Sequence, residues 1–143
     1  MAKVYVSAVI DRPVDQVWAT IRDFGDLAGW NPAFRESIIE GDLPADRAGC
    51  KRKLTLEDGA VIREELRAFS DEERSCTYSI LESPFPIKNY VSTLRLLPVT
   101  DGGRTFAEWS AEFDVPPENE EEICGVVANG VFQGGFDSLK NPV

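Results

Sequence analysis

The sequence predicts an α+β fold: a seven-stranded curved antiparallel sheet wrapped around a long C-terminal helix, with two short helices after strand one. Three observations lead there. The β-type runs Val61–Phe69, Ser75–Leu81 and Tyr90–Leu97 follow one another at hairpin spacing, and Thr105–Val115 comes next. One uninterrupted stretch, Glu118–Lys140, then reads as a helix. Several positions on the inward faces of the strands are aromatic or ionisable. A curved sheet closed by one long helix encloses a cavity, so this order of elements bears directly on binding.

Each element has a local reason. Lys3–Ile10 alternates weakly and is β-rich, which makes it the first strand. Pro13 suits a first helical position, and Asp15 favours the positive end of the helix dipole. Val14, Val17, Trp18 and Ile21 recur at helical spacing, and the helix is expected to end near Phe24-Gly25. A short second helix runs through Leu27 before Trp30-Asn31-Pro32 stops it. Phe34–Gly41 is strand two, Asp42–Gly49 a loop and Cys50–Leu56 strand three. Asp58-Gly59 is a hairpin turn into Val61–Phe69. Asp71–Arg74 is a charged turn, and Ser83–Lys88 is a stiff apolar loop with two prolines. Pro116-Pro117 ends the last strand, and four glutamates among residues 118–122 sit at the positive end of the long helix.

Alternation along the strands assigns two faces. Arg52, Leu54 and Leu56 point inward on strand three, and Ile62, Glu64, Leu66 and Ala68 on strand four. Cys76, Tyr78 and Ile80 do so on strand five, and Tyr90, Ser92, Leu94 and Leu96 on strand six. Ala107, Trp109, Ala111 and Phe113 do so on strand seven, while Phe34, Glu36 and Ile38 share a face of strand two. Interior Arg52, Glu64, Tyr78, Tyr90, Ser92 and Glu36 would cost free energy unpaired in a dry core, and a wet or ligand-filled cavity would tolerate them. Over that interior, Ile123, Val127 and Val131 make an i, i+4 stripe that continues to Gly135. Gly125, Gly130, Gly134 and Gly135 each weaken a helix by about 1 kcal/mol against Ala. They allow close packing on the sheet, leave room for a ligand, or mark a kink.

Composition narrows the function. The chain has 143 residues, one domain's worth (residues 1–143), and a net charge of −10. That acidity argues against nucleic acid and anionic membrane surfaces, and its simplest use is solubility. No apolar run reaches the ~20 residues of a membrane span, and the N-terminus enters strand pattern without a signal-peptide core. Three cysteines without motif spacing suit reduced thiols in the cytoplasm. Histidine is absent, which removes Ser-His-Asp and Cys-His nucleophile systems and histidine metal sites. No metal and no cofactor is expected, and a homodimer is compatible with the sequence.

The chain resembles the START-related, birch-pollen-allergen-like superfamily with the helix-grip fold (SRPBCC), in its polyketide cyclase/dehydrase branch. The likeness covers nearly the whole chain. It rests on Val17-Trp18 with Asp23-Phe24, Trp30-Asn31-Pro32, Asp58-Gly59, Glu64-Glu65-Leu66, Tyr78-Ser79-Ile80, Pro84-Phe85-Pro86, Lys88-Asn89-Tyr90 and Trp109. It implies binding of a hydrophobic small molecule such as a lipid, polyketide or sterol in an internal cavity. A more distant likeness, to the plant abscisic-acid receptors, runs through Glu64-Glu65-Leu66, Lys88-Asn89-Tyr90-Val91-Ser92 and Phe113-Asp114-Val115-Pro116. It implies that Glu64, Tyr78, Ile80, Tyr90, Ser92, Trp109, Val127 and Val131 are pocket positions. Two departures argue against hormone reception of that kind. Glu36 stands where the receptors carry a pocket lysine, and Glu57-Asp58-Gly59 replaces their Gly-Leu-Pro gate.

The expected ligand-binding set is therefore those residues with Trp30, Phe34, Glu36, Leu54, Phe85 and Phe113. A catalytic reading uses Glu64 to move protons while Arg52 and tyrosines, Tyr78 first, stabilise an enolate in a cyclisation or dehydration. Glu64 is either a base of raised pKa or, as favoured here, the partner of Arg52 in a buried ion pair. Tyr78 and Tyr90 donate to a ligand or bind water; Trp30 and Trp109 are walls, and Cys76 is an inert thiol. A protein-interaction module is a further alternative, favoured if the cavity is filled.

Overall fold

Strands of alternating pattern build one sheet in a computed structural model that describes residues 1–140. The last three residues of the expected domain lie outside the described residues. The strands are β1 (Ala2–Ile10), β2 (Phe34–Glu40), β3 (Lys51–Leu56), β4 (Val61–Ser70), β5 (Ser75–Glu82), β6 (Lys88–Val99) and β7 (Arg104–Asp114). They pair antiparallel in the order β1-β7-β6-β5-β4-β3-β2. Irregularities in β2, β4 and β6 bend the sheet; one of them holds Asn89 at a φ of 55°.

Between β1 and β2, helix α1 (Val14–Ile21) buries Val17, Trp18 and Ile21. Pro13 precedes this helix rather than beginning it, and the helix ends three residues before Phe24. The expected second helix is a 3-10 stretch, Phe24–Gly29, broken at Asp26. Asp23 starts it by accepting a hydrogen bond from the Gly25 amide at 3.0 Å.

The long C-terminal helix is continuous but not uniform. After a 3-10 turn at Pro117–Asn119 come helix α2 (Glu120–Gly125), a π-helical segment (Val126–Gln133) and helix α3 (Gly134–Lys140). Its glycines divide between two of the roles considered. A Cβ on Gly135 would lie 2.9 Å from Asn31 Nδ2, 3.0 Å from Trp30 and 3.2 Å from Trp109, so this glycine allows close packing. A Cβ on Gly130 would meet nothing within 4 Å. The helix widens into π-helical turns over Val126–Gln133. Gly135→Ala is therefore expected to destabilise by about 1–3 kcal/mol through overpacking. Gly130→Ala is expected to stabilise by up to about 1 kcal/mol, read as opposite shifts in urea midpoint.

Two expectations about faces change. A bulge between Phe34 and Glu36 turns Glu36 out to solvent while Phe34 stays buried. Ser37 takes an inner place instead, accepting from the Ala28 amide and donating to the Gly25 carbonyl. A second bulge, between Leu66 and Ala68, exposes Ala68 and turns Phe69 toward Trp18, with ring centroids 5.6 Å apart. In both strands the added residue breaks the two-residue alternation.

Candidate functional site

The helix covers the sheet tightly at one end and loosely at the other. At the tight end Trp109 is 1% exposed and stacks on Phe132 at 4.4 Å, with Phe136 at 5.7 Å and Trp30 at 5.8 Å. Its indole N–H donates to both Tyr78 OH and Ser92 Oγ, each at 3.1 Å. Ser92 in turn donates to the Ser110 carbonyl. Asn31, fully buried, ties the 3-10 region to the helix by donating to the Val131 carbonyl at 3.1 Å. Only a void of about 10 Å³ remains here, beside Trp30, Arg52, Cys76 and Trp109.

At the loose end lies a pocket of about 150 Å³. Phe34, Glu64, Tyr78, Ile80, Phe85 and Tyr90 line it from the sheet side and the apolar loop. Val127 and Val131 close it from the π-helical segment, beside Gly130. Leu27, Ala33, Ile87 and Val126 also line it, and the sequence reading did not place them there. An apolar residue within a Pro-rich loop was the available signal for Ile87, whereas the turn of a widened helix could not be foreseen for Val126.

The remaining expected residues lie elsewhere. Trp109 and Ser92 form the packed end just described, and Trp30 borders the small void. Leu54 and Phe113 are fully buried in the core, Phe113 behind Tyr90 with centroids 5.5 Å apart. Glu36 faces solvent and cannot substitute for a pocket lysine.

Glu64 and Arg52 are directly opposite each other on β4 and β3. They are 5% and 4% exposed, so their charges are held away from water. Arg52 donates from Nε at 2.9 Å and Nη2 at 2.6 Å, both to Glu64 Oε1. Its Nη1 donates to the Phe24 carbonyl at 3.0 Å. The guanidinium also lies over the Phe24 ring at 3.8 Å and near the Tyr78 ring at 4.8 Å. This arrangement occupies Arg52 and leaves it no free face toward a substrate, so the expected enolate contact from Arg52 is not available. Burial raises the Glu64 pKa, and Arg52 opposes that rise. Burial raises Tyr78 and Tyr90 as well, so both phenols stay protonated at neutral pH. The Cys76 thiol is pushed up to about 11 by burial, which suits an unreactive group.

A curved antiparallel sheet closing on one long helix is the helix-grip arrangement, here with an apolar pocket between sheet and helix. The chain belongs to the family described as polyketide cyclase / dehydrase and lipid transport, which it matches over residues 1–143. It is 29% identical over 135 residues to the abscisic acid receptor PYL7 of Arabidopsis thaliana, covering 91% of this chain and 63% of the receptor's length. A protein of Nitrosospira multiformis with a solved structure is 35% identical, with a TM-score of 0.83 over 97% of this chain and 94% of that one. A norcoclaurine synthase of Thalictrum flavum shares the fold at 18% identity, with a TM-score of 0.74 over 97% of this chain and 91% of that one. Among the described residues no helix is long and apolar enough to cross a membrane.

Proposed function

We propose that this protein binds an apolar small molecule, or the apolar end of a lipid- or polyketide-like one, between the sheet and its C-terminal helix. The observation that carries this reading is the pocket itself: about 150 Å³ with aliphatic and aromatic walls around one ion-paired carboxylate. A cavity of this volume accepts a benzene-sized molecule, so a whole sterol would need the helix or the Phe85 loop to move. The abscisic acid receptor and the norcoclaurine synthase are relatives whose names carry a small-molecule function. Three free thiols favour a reducing compartment, and we assign the protein to the cytoplasm.

Calorimetric titration with toluene tests the reading. The wild type is expected to bind one equivalent. Val131→Trp is expected to abolish binding while far-UV and near-UV circular dichroism stay native. Normal binding by Val131→Trp places the ligand elsewhere. Unfolding of this variant identifies position 131 as tight core.

A cyclase or dehydrase is the second reading, favoured by one observation: Glu64 is a buried carboxylate of raised pKa inside the pocket. In that reading Glu64 moves the proton and Tyr78 or Tyr90 donates to the enolate, with Arg52 only positioning Glu64. The unfilled pocket counts against a purely protein-binding module.

A further inference from the structure

Arg52 uses only one of the two oxygens of Glu64. Both of its hydrogen bonds to the carboxylate fall on Oε1. Oε2 receives no hydrogen bond from a described protein group, yet no side-chain nitrogen or oxygen among the described residues is both fully buried and unpartnered. Oε2 is therefore open to the pocket that Glu64 lines. Among the described residues of that lining it is the acceptor of the only charged one, and the other polar side chains there are Tyr78 and Tyr90. Among the described residues no cation lines the pocket, and the nearby Arg52 guanidinium is committed to Glu64 and Phe24 and covered by aromatic rings.

From this the geometry points to a selective site: the pocket takes a neutral, one-ring-sized apolar molecule carrying a hydroxyl, which donates to Glu64 Oε2, and it rejects carboxylates. The inference rests on the binding function proposed above and narrows its ligand class. A buried acceptor left without a donor discriminates strongly against ligands that cannot supply one. A carboxylate entering the pocket would lose its hydration, gain no cation and face Glu64. An ammonium would gain less than at an isolated carboxylate, because Arg52 already balances the charge of Glu64.

The test compares p-cresol, toluene and 4-methylbenzoate by calorimetry at neutral pH. The wild type is expected to bind p-cresol about tenfold more tightly than toluene, the effect of one hydrogen bond to a charged acceptor, and 4-methylbenzoate not measurably. Equal affinity for p-cresol and toluene, or binding of 4-methylbenzoate, overturns the selectivity while leaving the pocket reading intact. Failure of toluene and p-cresol alike overturns the pocket reading and this inference with it. Glu64→Gln keeps a carbonyl for Arg52 and turns an amide N–H₂ toward the pocket. In that variant the ratio of p-cresol to 4-methylbenzaldehyde affinity is expected to fall about tenfold, since the wall now donates. An unchanged ratio in a folded Glu64→Gln protein overturns the role of Oε2, and the wild-type comparison decides the matter if the variant does not fold.

Discussion

Glu64→Gln is expected to cost about 3 kcal/mol of folding stability, because it leaves the Arg52 charge buried against a neutral partner. Arg52 is 4% exposed and makes its two shortest contacts to Glu64, so water cannot replace the lost charge. Arg52→Leu alone strands the carboxylate in the same way and releases the Phe24 carbonyl. The double variant removes both charges and is expected to lose at least about 1 kcal/mol less than the sum of the single losses. Urea unfolding of the four proteins measures this coupling. Simple additivity would mean that the pair contributes no interaction, and Glu64 would then have to be treated as an independent carboxylate.

Trp109→Ala is expected to be at least as damaging, at about 3–5 kcal/mol. The indole stacks on Phe132, meets Trp30 and Phe136, and gives its N–H to Tyr78 and Ser92. Truncation removes that packing and leaves a large cavity at the tight end of the molecule. If the variant remains folded, the cavity is expected to join the existing pocket past Tyr78, which borders both regions. Ligands too large for the wild type would then bind. A loss below about 1 kcal/mol would mean that the tight end is loosely packed and that Trp109 is available to ligands after all.

Strand parity made much of this arrangement legible in the sequence. Glu64, Tyr78, Ile80 and Tyr90 line the pocket as the two-residue period requires, and the Arg52–Glu64 pairing follows from adjacent strands. Parity identifies a face, however, and says nothing about depth along it. Leu54, Trp109 and Phe113 share the inner face, yet Phe132 and Phe136 fill the space above Trp109. Glu36 was beyond the reach of the pattern because the bulge beside it shifts the alternation by one residue, and no glycine marks that place. The widened helix was equally hidden: Val127 and Val131 fit an ordinary i, i+4 stripe, and the π-helical turns add Val126 to the same wall. The glycines were the one visible trace of that irregularity. Gly135 serves contact and Gly130 borders the pocket, a distinction that depends on what lies opposite each of them.

The most direct test of ligand binding in this pocket is a methyl-resolved NMR titration of the wild type with p-cresol. Saturation at one equivalent is expected, with intermolecular NOEs from the cresol ring to methyl groups of Ile62, Ile80, Val127 and Val131, all of which line the pocket. NOEs confined to the exposed outer-sheet residues Val9 and Val91, or no saturable shift at any methyl group, would contradict the account.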